Sequence, residues 1–196
     1  MRKILLRTKN LVSPPEQGAD FVELFFDLVF VYAITRITSL TANNFDTEQV
    51  LKSLLIFWLI WWAWTQFTWA LNAANTKIAE VRLVVLIATG VAFVMASSTN
   101  FAFTEGVMWF AIPYVVIRII GLAFYIRVTT NLEGQRSAVI GFALVSITGL
   151  IAVMAGAMVA PSLRIVFWLG AILLDMLAGF IGGRAEGWRL QSKHFG

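Results

Sequence analysis

The chain has 196 residues, of which 59% are hydrophobic and only 13% charged, with a mean hydropathy of +0.80 and a formal net charge of +4. A water-soluble domain carries about 25% charged residues, so too few polar groups are present here to cover a water-facing surface. The absence of cysteine excludes disulfides and thiolate metal sites, and the single histidine, His194, stands in the tail.

Residues 1–20 hold Arg2, Lys3, Arg7 and Lys9 and a Pro14-Pro15 spacer, with no short apolar core before a small-residue cleavage site. They read as a cytosolic leader. Six apolar spans follow, at 21–40, 50–71, 81–103, 107–127, 137–160 and 163–183, before a basic cytosolic tail at 184–196. Each has the ~20 residues that a membrane-crossing helix needs. The breaks carry turn chemistry: Asn43-Asn44-Phe45-Asp46, Asn72 to Lys77, Thr104-Glu105-Gly106, Asn131 to Gly134, and Pro161. The pattern predicts an all-α integral membrane protein, a six-transmembrane-helix bundle.

The first span, FVELFFDLVFVYAITRITSL, contains Glu23, Asp27 and Arg36. An ionised group in hydrocarbon costs roughly 2.5–3.5 kcal/mol on insertion scales, so each charge needs a partner, a wet cavity or a use. Glu23 and Asp27 are one helical turn apart and share a face. Arg36 lies about 180° round from Asp27 and cannot pair with it within the helix.

The second span is crowded with Trp58, Trp61, Trp62, Trp64 and Trp69, with Gln66 among them. Trp normally gathers in belts at the two interfaces, yet these run through the middle. Two readings are open: bulky packing with bonded indole N–H groups, or an aromatic wall for a cation or flat ligand. Packing is the simpler one. The third span is aliphatic and ends in Ser97-Ser98-Thr99-Asn100, while the fourth carries Arg118, with Pro113 before it as an expected kink. Ala152, Gly156 and Ala160 in the fifth span, and Gly179 and Gly183 in the sixth, are small residues four apart that allow close helix approach. The sixth also carries Asp175.

The basic residues test the count of spans. Arg2, Lys3, Arg7, Lys9, Lys77, Arg82, Arg127, Arg136, Arg184, Arg189 and Lys193 fall on one side, and only Lys52 and Arg164 on the other. That asymmetry places both ends in the cytosol. With this topology Asp27, Arg118 and Asp175 share a depth within ~5 Å, at 1.5 Å per residue. The expectation is a charged layer in which Asp27 and Asp175 lie near Arg118, with Glu23 closer to water. The layer is either an ion network that fixes packing or a path on which a carboxylate binds an ion or carries a proton. Asp27 leans to the functional side.

Enzymatic chemistry is not expected. No GxSxG, phosphate-cradling glycine loop, metal-ligand cluster or intramembrane His occurs in the sequence. No cofactor is implied. Nucleic-acid binding is not expected either, because a cytosolic rim accounts for the basic residues.

VELFFDLVFVYAIT, Val22 to Thr35, resembles the first-helix signature of the bacterial low temperature requirement A (LtrA) family. Phe25 and Phe30 within it, the Trp61, Trp62 and Trp64 cluster, Arg82, the Ala102-Phe103 pair, Tyr114 with Arg118, and His194-Phe195 fit the same pattern. The resemblance implies a protein of the bacterial cytoplasmic membrane connected with growth in the cold. It also implies either the amino-terminal part of a longer protein or a short form, which would use further helices or a copy of itself to bury polar faces. FFDLVFVYAIT is similar as well to the first helix of six-helix potassium channels related to the lysosomal potassium channel, where that helix lines a pore; Arg36 departs from that pattern. The expected function is transport or conduction of a small solute or ion through Glu23, Asp27, Arg118 and Asp175. The alternative is a non-transport protein acting in cold adaptation or lipid homeostasis through interactions.

Overall fold

Apolar runs of this length must satisfy their own backbone polar groups, and the α-helix does so within one segment. A computed structural model describes residues 11, 20–43, 45–129 and 136–183, and its long elements are all α-helical. They are α1 Phe21–Asn43, α2 Thr47–Asn72, α3 Ala79–Ser97, α4 Met108–Thr129, α5 Arg136–Ala157 and α6 Pro161–Gly183. Five of them, α2 to α6, are long and apolar enough to cross a membrane. The sixth, α1, matches them in length at 23 residues and carries Glu23, Asp27 and Arg36. The molecule is a helical membrane bundle.

Local chemistry sets the boundaries. Asp46 caps α2 by accepting from the Gln49 N–H at 2.7 Å. The third helix stops at Ser97, short of the expected 103, and a 3-10 turn at Thr99–Phe101 follows. The Ser98 hydroxyl donates to Val94 O and that of Thr99 to Ala96 O, which competes with continuation of the helix. Pro113 lies within α4 without ending it. Pro161 opens α6, where its missing N–H has no intrahelical partner to lose. The leader apart from Leu11, Asn44, the Asn131 to Gly134 turn, and the tail with His194 and Phe195 lie outside the described residues.

Helix α4 is the centre of the bundle and packs on α2, α3 and α5, while α1 lies against α2 and α3. The most extensive pair is α5 with α6. Gly156 makes that pair possible, since a Cβ there would stand 2.8 Å from Trp168 Cδ1. Trp168 is fully buried and donates its indole N–H to Val153 O at 3.1 Å. A line of rings, Phe26, Phe67 and Phe124, joins α1, α2 and α4 at centroid distances of 4.6 and 5.9 Å. The exposed apolar residues, Leu28, Leu83, Ile119, Leu144 and Leu173 among them, cover the outside of the bundle. That is the inversion expected when hydrocarbon is the solvent.

Candidate functional site

Arg118 and Asp175 meet inside the bundle. Arg118 Nη1 donates to Asp175 Oδ2 at 2.8 Å and Nη2 to Oδ1 at 2.6 Å, a two-pronged pairing. Their side chains are 0% and 3% exposed. Tyr114, one turn before Arg118 on α4, places its hydroxyl 3.0 Å from Nη1 and accepts a second bond from it. Gln66 on α2 donates from Nε2 to the Arg118 carbonyl at 3.2 Å. Gly149 on α5 brings its backbone close to Asp175, where an added Cβ would stand 3.6 Å from Oδ1. Four helices therefore close on this pair. Arg118 Nε, Gln66 Oε1 and Ser146 Oγ are buried with no hydrogen-bond partner among the described residues.

Asp27 is not part of that network, against the expectation of a single charged layer. Its Oδ1 accepts from the Trp64 indole N–H at 2.7 Å. It enters no ion pair among the described residues, and Oδ2 has no hydrogen bond there. The physical reason is angular. The aromatic α1 residues Phe26 and Phe30 are buried in the core, and Asp27 falls between them and the exposed side, beside α2. A cleft of about 280 Å³ opens there, lined by Asp27, Phe30, Val31, Ile34, Phe57, Ile60, Trp61 and Trp64. Phe30 and Ile60 are buried and form its floor, while Val31, Ile34, Phe57 and Trp61 are exposed at its mouth. Asp27 is its only acidic residue among the described residues.

The remaining candidates fall into supporting positions. Glu23 is half-buried in the first turn of α1. Phe25 points outward, and its neighbour Phe26 is the buried member of the motif. Trp62 lies against Gly179, whose added Cβ would stand 3.3 Å from it. It lines a second cleft of about 210 Å³ with Thr65, Gln66, Trp69, Tyr125, Phe142 and Gly179. Arg82 holds the start of α1, donating from Nη2 to Asp20 Oδ2 at 2.9 Å and from Nε to Thr76 O at 2.9 Å. Arg36 is half-buried on the far side of α1 from Asp27, and its Nε has no partner among the described residues.

Arg164, counted with Lys52 on the side opposite the cytosol, is 3% exposed. It donates to the carbonyls of Ala102 at 2.9 Å, Thr104 at 3.1 Å, Gly156 at 3.3 Å and Val159 at 3.4 Å. Its position three residues after Pro161, in the first turn of a helix, gave no sign of this, because carbonyl partners leave no mark in a sequence. Tyr114 was more accessible: a Tyr four residues before an intramembrane Arg sits on the same helix face. No group of three His, Asp or Glu able to hold a metal ion is found among the described residues.

A family model described as bacterial low temperature requirement A protein matches residues 18–196. The chain belongs to that family. The LtrA match takes in all six helices and begins just before Asp20, the residue that Arg82 holds. The chain is also similar to the uncharacterized protein RA0937 of Rhizobium meliloti (strain 1021), at 27% identity over 162 residues, covering 80% of this chain and 39% of that protein. It thus spans about two fifths of the length of this curated relative. No solved structure matches. Several signature positions of the LtrA resemblance now have contacts: Arg82 on Asp20, Ala102 on Arg164, Tyr114 on Arg118 and Trp64 on Asp27.

Proposed function

We propose that this LtrA-family membrane protein moves a small solute or ion across the bacterial cytoplasmic membrane, with Asp27 as the group that meets it. One observation carries the reading. Asp27 is a carboxylate within an apolar helix, it has no cationic partner among the described residues, and it lines an open cleft. Ionisable groups held in such places without an ion pair are costly, and they persist where they are used. Arg118 and Asp175 are the fixed frame of this machine, because Arg118 occupies both oxygens of Asp175. The protein works by binding and passage, not by covalent chemistry.

In this reading α1 also spans the bilayer, giving six crossings with both ends in the cytosol. Lys52 supports that topology, since its Nζ lies 5.5 Å from the Phe103 ring, at the end where Arg164 is held. Arg82 and Arg127 pair with Asp20 and Glu80 at the opposite end. The exposed mouth of the cleft also favours a second reading, in which the protein acts on lipid in the cold rather than on a transported solute.

The test is flux in proteoliposomes loaded with potassium, protons or small organic solutes. Asp27→Asn should abolish flux while leaving the melting transition in place. Flux equal in wild type and Asp27→Asn overturns the assignment of Asp27.

A further inference from the structure

The chemistry of the Asp27 cleft is selective about what could fill it. A bare metal cation asks for about six or more oxygen ligands. The lining offers one carboxylate, already holding an indole N–H on one oxygen, and no other side-chain oxygen. A hydrated metal ion would press its water shell against Phe30, Val31, Ile34, Phe57 and Ile60. An anion is opposed by Asp27. A neutral apolar molecule would leave the carboxylate buried and unpaired beneath it.

What matches is a cation that carries its own apolar coat. Such an ion meets the carboxylate with its charge and the four aromatic side chains, Phe30, Phe57, Trp61 and Trp64, with its alkyl arms. Aromatic rings attract alkylammonium ions through their electron-rich faces, and Trp does so best. The volume of about 280 Å³ sits at the low end of ligand pockets, which run ~300–1,000 Å³, so the ion is small. The Trp64 N–H bond fixes the carboxylate and leaves Oδ2 free to face the charge.

We infer that the cleft between α1 and α2 binds a small organic ammonium ion, with Asp27 supplying the counter-charge and Phe30, Phe57, Trp61 and Trp64 the aromatic surround. The inference rests on the reading of Asp27 as the group that meets the solute. The same ammonium chemistry is carried by free amines and by the headgroups of phosphatidylethanolamine and phosphatidylcholine, and the exposed mouth admits either source.

The experiment uses the full chain in nanodiscs of phosphatidylglycerol, which carries no ammonium group. Binding of radiolabelled tetraethylammonium should be saturable and displaced by choline. Potassium and the uncharged carbon analogue of choline should not displace it. Asp27→Asn should weaken binding by about tenfold or more, and Trp64→Phe by severalfold. Glu105→Gln, at an exposed turn remote from the cleft, should leave binding unchanged. Adding phosphatidylcholine to the disc should raise the apparent Kd if headgroups occupy the cleft; an unchanged Kd assigns the site to free amines. No saturable binding, or equal binding by an Asp27→Asn protein that melts like wild type, overturns the inference. Asp27-dependent potassium or proton flux without ammonium binding overturns it too and leaves the transport reading standing. Ammonium binding without flux keeps the inference and removes the transport reading.

Discussion

Asp175 and Asp27 are both carboxylates set in long apolar helices, and the bundle treats them in opposite ways. Asp175 commits both oxygens to Arg118 and is closed off by α2, α4, α5 and α6. Asp27 has one oxygen on an indole N–H and stands beside an open cleft. A fully paired, buried ion pair fixes which helix faces meet, although its attraction only offsets the cost of removing two charges from water. A half-satisfied carboxylate at a cleft ties fewer helix faces together, and in the proposed function it is the group that meets the ligand. Acid content alone does not separate frame from site; in the proposed function the number of bonds already formed does.

That contrast can be broken by substitution. Asp175→Asn leaves the Arg118 charge buried without a counter-ion, and a loss of about 3–5 kcal/mol is expected. Denaturant unfolding in detergent measures it, and a loss under 1 kcal/mol would mean the pair is not structural. Tyr114→Phe removes one bond to a charged group and should cost about 1.5–3 kcal/mol in the same assay. Asp27→Asn keeps an acceptor for Trp64 and should change stability by about 0.6 kcal/mol, the average for hydrogen bonds between membrane helices. Its effect belongs in flux and ligand binding; a melting loss as large as that of Asp175→Asn would erase the distinction between the two carboxylates. Replacing both partners, as Arg118→Met with Asp175→Leu, should be close to neutral, because no charge is left stranded. If the double variant is as unstable as Asp175→Asn alone, shape rather than charge holds these helices.

Much of the fold was legible because membrane helices announce themselves by length and composition. The breaks at Asp46, Thr104 to Gly106 and Pro161 fall at helix ends in the structure. The small-residue steps were also readable, and Gly156 and Gly179 each accept a Trp side chain from another helix. Depth arithmetic brought Arg118 and Asp175 together, since both lie near the middle of their helices. It erred on Asp27, because depth says nothing about direction, and α1 directs that residue to α2 instead of α4. Trp64 was one of five candidates in its helix, and periodicity alone could not choose among them. The Arg164 contacts were invisible, since every acceptor is a backbone carbonyl.

Those Arg164 contacts have a mechanical consequence. The guanidinium fastens the turn after α3, through Ala102 and Thr104, to the end of α5, through Gly156 and Val159. Swinging the α5–α6 hairpin away from the rest at that end would strip the Arg164 cation of two of its four acceptors, the Ala102 and Thr104 carbonyls. The hairpin is therefore latched there to the turn after α3.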